Sequence, residues 1–594
     1  MAVVSPEVLE PRRAEEADTD APVDGGGRWT WPVVAAVGLL VAPPVVDLLL
    51  SGTKRLFSYT AADAFYYLRV ADVWGDSGRL SFDGERPTNG FHPLWQLLLA
   101  GVSRVLRWLG LSRTVLVGVA VVSGLLLLAV ALVVLGRAIR RAYGTVPAAY
   151  AALPVGLYAL TLVPLWVAFG DQRGDSLPGM TDIPLYGTLW SFANGLETGA
   201  VVLAFALVVA VVVRWGFVGR RAVLGITAGC GLLIMARLDT ALVVAGLLLA
   251  LLGLAPLRRD LRPAGTAVLV AGGLAAVVAV YVVWNKWYAG SWVPVSGSSK
   301  STFPHPMLDN LRDMRLLLTG DDTSFGRGRL YREWPMIVPA LVAGAWLVAN
   351  LRPRALEALR RGDPADALVR YRVALTGTAI GTLLLTGYDL FFVHVWDQGH
   401  WYLPVPIVFV SLAGLDCLQR MSAVRARPGV VLGLCAALAV AVFVTLGRPE
   451  RYHQRFADFH VDEAARVRAF YGDEPPKLLA WDDGADAFSL GFRSMNGRVL
   501  MLDREGIEAY EDGRLLALAV ERGYDRFSSV QYLDADGLTR TTPSAQIRRR
   551  LEEFFPGEDL RPFEFSVEYA GRPGLTPPWP GADERYVIIA IRPR

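Results

Sequence analysis

The chain is poor in lysine, histidine and cysteine. Its only lysines are Lys54, Lys286, Lys300 and Lys477, and nearly all its positive charge is arginine, a bias that suggests a GC-rich bacterial genome. A formal charge of +3 over 594 residues leaves no basic surplus for nucleic acid. The three cysteines, Cys230, Cys417 and Cys435, sit in apolar runs. They read as small core residues, not as a disulfide framework or a metal site. HExxH, CxxC and GxSxG are missing, and so is a phosphate-cradling loop of the P-loop type. No metal-ligand spacing is evident; a carboxylate pair with a weakly held divalent cation stays open.

What is abundant is apolar sequence. Hydrophobic residues make up 53% of the chain, and the mean hydropathy is +0.36. Trp31–Leu50, Val115–Leu135, Val201–Val213 and Gly265–Trp284 are free or nearly free of charge. The longer of these runs can cross a bilayer, and they must do so as helices, because the alternation of a membrane barrel is missing. No small-residue cleavage site follows the first run, so it reads as an anchor. Residues 1–28 are rich in Glu, Asp, Pro and Gly without apolar periodicity, which predicts a disordered tail. Residues 29–447 read as the membrane domain. Residues 448–594 carry more charge and no spanning run, which predicts a soluble domain.

Arginine placement sets the topology. Phe91–Gly110 is about long enough to span, but Arg104 and Arg107 interrupt it. Read instead as an amphipathic helix along the interface, it leaves Arg137–Arg141, Arg214–Arg221, Arg258–Arg262, Arg352–Arg372 and Arg420–Arg427 all on one side. Eleven spans result: 30–50, 114–136, 147–168, 197–214, 222–237, 240–256, 265–284, 335–351, 373–394, 401–419 and 428–447. The expected fold class is mainly α, a polytopic helical membrane domain with a small extracytoplasmic α/β C-terminal domain. The N-terminus is expected in the cytoplasm, and the long loops 51–113, 169–196 and 285–334 outside it. In the C-terminal domain, Lys477–Trp481, Val499–Leu502, Ser528–Leu533 and Tyr586–Ile591 read as strands, and Val461–Tyr471, Ile507–Glu521 and Pro543–Phe555 as helices.

Polar residues at the expected outer ends of spans are the candidates for chemistry. Asp63, beside Phe65, Tyr66 and Tyr67, suits a general base at a membrane surface; equally, Thr60-Ala-Ala-Asp63 resembles a capping box. Asn89 and His92, in Thr88-Asn-Gly-Phe-His-Pro-Leu-Trp95, can bind hydroxyls or phosphate, or can simply start a helix. Glu197 opens a span, where a carboxylate is functional by default or else serves the helix dipole. Arg237 and Asp239 can hold a phosphate or pin two helices. Lys300, in a Ser/Gly-rich stretch, can bind phosphate or sit in a mobile solvated loop, and His400, before a late span, reads as a substrate contact or as an interfacial residue.

Together these stretches resemble the GT-C class of polytopic glycosyltransferases. The likeness rests on Asp63-Ala-Phe-Tyr-Tyr-Leu68, Phe82-Asp-Gly84, Thr88–Trp95, Asn194-Gly-Leu-Glu197-Thr, Arg237-Leu-Asp239, Tyr288-Ala-Gly-Ser-Trp-Val-Pro294 with Ser296 and Lys300, and Trp401-Tyr-Leu-Pro404, in that order. In the soluble domain, Asp482-Asp-Gly-Ala485 and Val499-Leu-Met-Leu-Asp503 resemble paired strand motifs. The first loop is also similar to that of actinobacterial arabinofuranosyltransferases, which implies an arabinofuranose donor. The resemblance implies an outward-facing glycosyltransferase that takes a polyprenyl-phosphate sugar and an envelope glycan, lipid or protein acceptor. Asp63 would be its catalytic base, with no nucleic acid among its partners. The chain departs from the pattern at Ala62, where the family commonly has a second acid. That departure motivates the alternative of a non-catalytic protein that binds or transports lipid-linked sugars.

Overall fold

The computed structural model describes residues 30–52, 54–157, 188–311, 326–363, 365–393, 400–421, 459–481, 484–529, 540–571 and 586–594, with isolated positions at 429–430, 433–434, 437 and 538. The expected tail, residues 158–168 of the third expected span, most of the loop 169–196, most of the span 428–447, and Asp482 and Asp483 lie outside these residues.

The chain enters as α1 (Trp31–Ser51). The first long loop then folds into α2 (Lys54–Tyr59), α3 (Ala64–Ser77) and α4 (Pro93–Trp108) before α5 (Arg113–Tyr143). After a 3-10 segment, Ala148–Val155, come α6 (Thr198–Trp215), α7 (Arg220–Ala236), α8 (Ala241–Arg258) and α9 (Arg262–Ala289). The helical domain continues with α10 (Val295–Lys300), α11 (Gly326–Asn350), α12 (Pro353–Arg361), α13 (Ala367–Phe392) and α14 (Pro404–Arg420). Six of these helices (α1, α5, α6, α8, α9 and α13) are long and apolar enough to cross a membrane, and Met336–Asn350 in α11 is a shorter apolar stretch. The chain is thus a mainly helical, multi-pass membrane protein. Two expected spans, 222–237 and 401–419, fall on α7 and α14, each 17 residues long.

Small residues let the bundle close. A Cβ on Gly381 of α13 would lie 2.5 Å from Val243 Cα, and one on Gly246 of α8 would lie 2.2 Å from Gly381 N. These helices touch backbone to backbone, the packing that apolar solvent favours because it cannot drive association by the hydrophobic effect.

The interrupted run at 91–110 becomes α4. Its 16 residues reach about 24 Å, short of the roughly 30 Å bilayer core. It buries Trp95, Gln96, Leu99 and Ala100 and exposes Leu97, Leu98, Val105 and Trp108. Both interrupting arginines face α3. Arg104 donates to Gly75 O at 2.9 Å, and Arg107 reaches Asp72 Oδ1 at 2.6 Å and Asp76 Oδ2 at 3.1 Å.

The C-terminal domain has a five-stranded sheet in the order β2-β1-β3-β5-β4, built from β1 (Leu478–Ala480), β2 (Ser494–Asn496), β3 (Arg526–Ser529), β4 (Phe563–Ala570) and β5 (Val587–Pro593). β1 runs parallel to β2 and β3, and β5 runs antiparallel to β3 and β4. α15 (Ala464–Tyr471), α16 (Ala485–Leu490), α17 (Arg504–Glu511), α18 (Leu515–Glu521) and α19 (Ser544–Leu551) pack around it. Two expectations are corrected here. Val499–Leu502 is a tight turn with Val499 at φ 69°, and the strand lies five residues earlier at Ser494. A short apolar run looks alike in a strand and in a buried turn. The expected helix Ile507–Glu521 breaks in two around Gly513, which sits at φ 63°.

Candidate active site

The first loop and the C-terminal domain are built to meet. Arg69 of α3 is buried and donates to Phe82 O at 3.1 Å and Phe492 O at 2.8 Å. Asp83 Oδ1 organises its turn by accepting from the Ser81 hydroxyl and from the backbone N–H of Glu85 and Arg86, each at 2.8 Å. Its Oδ2 accepts from the Tyr524 hydroxyl at 3.2 Å. The Phe82-Asp-Gly84 stretch is therefore a clamp between domains. Gly90 allows a close backbone approach, since a Cβ there would lie 1.8 Å from Leu500 O. That contact brings Leu500 and Met501 of the C-terminal domain to the wall of a cavity of about 520 Å³.

Six of the residues singled out from sequence line this cavity: Asp63, His92, Glu197, Arg237, Asp239 and Lys300. They come from α3, the start of α4, the start of α6, the break between α7 and α8, and α10. Each had a structural alternative, and the geometry bears on several. Asp63 occupies the N-cap position of α3 but makes no capping hydrogen bond. The Thr60 hydroxyl turns back to Leu56 O at 2.8 Å, so no capping box forms. The Asp63 carboxylate instead faces Lys300, with Oδ2 3.8 Å from Nζ. Lys300 Nζ also donates to the Tyr402 hydroxyl at 2.9 Å.

Glu197 likewise makes no cap. Its Oε1 accepts from Arg237 Nη1 at 2.6 Å and lies 3.7 Å from His92 Nε2. Its Oε2 is buried without a partner. Arg237 ends α7 in an extended conformation, which points its side chain back toward Asp239. Its Nε meets Asp239 Oδ1 and Oδ2 at 3.0 and 2.9 Å, and its guanidinium stacks 4.3 Å from the Tyr402 ring centre. Two carboxylates therefore already share the charge of Arg237. His92 Nδ1 accepts from Leu238 N–H at 3.5 Å. Burial, and then the charges of Arg237 and Lys300, hold the His92 pKa well below the usual imidazole value, so the ring is neutral. The Tyr67 hydroxyl accepts from His92 N–H at 3.3 Å, and burial raises its pKa.

Asn89 is placed differently from the expectation of a substrate contact. It is fully buried and does not line the cavity. Its Nδ2 donates to Val293 O and its Oδ1 accepts from Val295 N–H, both at 3.2 Å, so it ties the segment before α10 to the first loop. The side chain of His400 lies outside the described residues. Ala62 packs against the aromatic core of the first loop and does not line the cavity.

The cavity also holds Tyr66, Trp401 and Met501, which stood in the quoted stretches without a role of their own, and Tyr388 and Asp389, which sequence reasoning passed over. Asp389 had a readable signal, an acid within an apolar helix; Tyr388 had none. Among the described residues no group of three or more His, Cys, Asp or Glu side chains is arranged to hold a metal ion.

No family model matches this chain, and no curated protein matches it. A crystal structure of ArnT from Cupriavidus metallidurans bound to undecaprenyl phosphate aligns with 93% of this chain and 98% of its own, at 14% identity and a TM-score of 0.48. A likeness at that level carries no inference about chemistry.

Proposed function

We propose that this protein is an inverting glycosyltransferase of the GT-C kind, which moves a sugar from a polyprenyl phosphate to an envelope acceptor on the outer side of the plasma membrane. The N-terminus is then cytoplasmic and the C-terminal domain extracytoplasmic. The observation that carries the reading is Asp63, a helix-start acid that caps nothing and faces Lys300 across the mouth of a cavity large enough for a glycosyl phosphate. Ala62 lies off the cavity, so the position at which the chain departs from the resembled pattern is not one that would face substrate.

In this mechanism Asp63 removes the proton from an acceptor hydroxyl as its oxygen attacks the anomeric carbon. The bond from that carbon to the phosphate oxygen breaks, and the electron pair leaves with the polyprenyl phosphate. Lys300 neutralises the charge that develops there. Arg237 contributes less to the phosphate, because Glu197 and Asp239 share its charge, and its main task is to hold those two carboxylates. The unpartnered Oε2 of Glu197 suits a hydrogen bond from a hydroxyl of the sugar or acceptor. His92 stays neutral beside it, and Leu500 and Met501 cap the groove. Arabinofuranose is the donor sugar that the sequence likeness favours.

The test is sugar transfer from a polyprenyl-phosphate sugar by the wild type and by Asp63→Asn. A loss of about a hundred- to ten-thousandfold is expected on removing a general base. Full activity in the variant removes Asp63 from the mechanism. A wild type that binds the lipid but transfers nothing points instead to a lipid-linked-sugar binding or transport protein.

A further inference from the structure

Lys300 sits at the end of a six-residue helix, and a side chain of its length can take many rotamers. The next ten residues of the chain restrain it. Residues 301–310 lie against the C-terminal end of α13 and take up its last carbonyl groups, which no helix can satisfy internally. Thr302 N–H donates to Phe392 O at 2.9 Å and Met307 N–H to Phe391 O at 2.6 Å. Asn310 Nδ2 donates to Leu390 O at 2.9 Å and to Val393 O at 2.7 Å, and Ser301 bridges to Val393. On the cavity side, the Tyr388 hydroxyl donates to Ser301 Oγ at 3.0 Å, one residue from Lys300. On the other side the segment exposes Phe303 and Leu308, at 68% and 66%. Phe303 also lines the cavity and packs edge-on against Phe392, ring centres 5.3 Å apart. The segment thus follows directly on the cavity lysine and exposes apolar side chains suited to lipid.

We infer that residues 301–310 are a strap that positions Lys300 for the donor phosphate, and that Tyr388, through its bond to Ser301, is a positioning residue for that lysine. The inference rests on the proposed role of Lys300 in meeting the phosphate. Tyr388 need not touch the substrate; it acts by holding the backbone next to Lys300 against α13. Polyprenyl-phosphate affinity and turnover should therefore both suffer when the bond is lost.

The experiment uses the full chain in lipid nanodiscs and measures both polyprenyl-phosphate binding and transfer kinetics. Tyr388→Phe and Ser301→Ala remove the two ends of one hydrogen bond, and Ser301→Ala also removes the acceptor of Phe303 N–H at 3.3 Å. Each should weaken polyprenyl-phosphate binding about three- to tenfold and lower kcat as well as raise the donor KM, and the double variant should lose no more than Ser301→Ala alone. In a Lys300→Ala background Tyr388→Phe should have no added effect. Wild-type affinity in Tyr388→Phe, or an undiminished loss in the Lys300→Ala background, overturns the inference. A nitroxide on Phe303→Cys reads the strap without any ligand, and its mobility should rise in Tyr388→Phe. An unchanged label likewise overturns the inference. A wild type that binds no polyprenyl phosphate overturns the functional reading and the role given to Lys300, while the label still reports whether Tyr388 holds the strap.

Discussion

Two buried carboxylate–arginine clusters tie the helical domain together, and they differ in what they leave over. At one, Asp416 of α14 accepts from the Tyr143 hydroxyl and from Arg372 Nε (3.3 Å) through Oδ1, and from Arg420 through Oδ2. Both of its oxygens are used, and Arg420 goes on to Asn350 Oδ1 at 3.3 Å. At the other, Glu197, Arg237 and Asp239 are joined as tightly, but Glu197 Oε2 has no partner and all three residues line the cavity. The residue types are the same and both carboxylates are buried, at 2% and 0% side-chain exposure. A buried acid with every oxygen engaged serves stability. One left partly unsatisfied beside a cavity costs free energy that a ligand can recover.

This contrast can be broken by experiment. The largest effect is expected from Asp416→Ala, which strands Arg372 and Arg420 without their carboxylate. It should cost about 1–2 kcal/mol of stability, because Asp416 is buried but Arg372 and Arg420 are 32% and 41% exposed and can turn to water, read as a lower melting temperature in detergent, while transfer activity per folded molecule stays near that of wild type. A loss of activity without a loss of stability would erase the distinction between the clusters. Glu197→Gln should do the reverse: transfer falls by about tenfold, the worth of one hydrogen bond to a charged group, and the melting temperature moves far less than for Asp416→Ala.

The smallest effect concerns pH. His460 lies against the Phe57 and Phe65 rings, at centroid distances of 5.0 and 4.3 Å, and burial lowers its pKa to about 3. The unfolded chain protonates this ring near pH 6.5 and the folded chain does not, so the unfolded state binds more protons between those values and stability falls as pH drops below about 6.5. At pH 5.5 the loss is about 1 kcal/mol. His460→Asn should flatten the dependence of melting temperature on pH over that window. His92 has the same sign of shift, so its replacement should flatten it too, which makes the contact of the C-terminal domain and the cavity jointly acid-sensitive.

Much of the helical order was legible in the sequence because hydropathy is local and additive along a segment. α1, α5, α6, α8, α9 and α13 each coincide with an apolar run that charge and length had marked. The cavity residues were legible one by one, since polar groups at the ends of apolar helices are few. Their roles were not. Asp63 and Glu197 both stood where a cap would stand, and a cap is decided by side-chain geometry that spacing does not encode. Asn89 looked like a ligand contact, and only its bonds to Val293 and Val295, some 200 residues away in sequence, made it a strut. The turn at Val499 read as a strand because Val499 and Leu502 are buried in the C-terminal core with Leu479 and Met495, as strand residues would be, while only Leu500 and Met501 turn to Gly90 and the first loop.

The sequence by itself determined that this is a polytopic, mainly helical membrane protein with a charged C-terminal domain, and it named six of the side chains that line the cavity. Tertiary structure alone decided which of them are satisfied, that Arg237 is already shared by two acids while Asp63 faces Lys300, and that α13 and the C-terminal domain join the wall. The physical reason is that the gain from burying apolar surface is set residue by residue. The fate of a buried charge depends on partners brought together from anywhere in the chain.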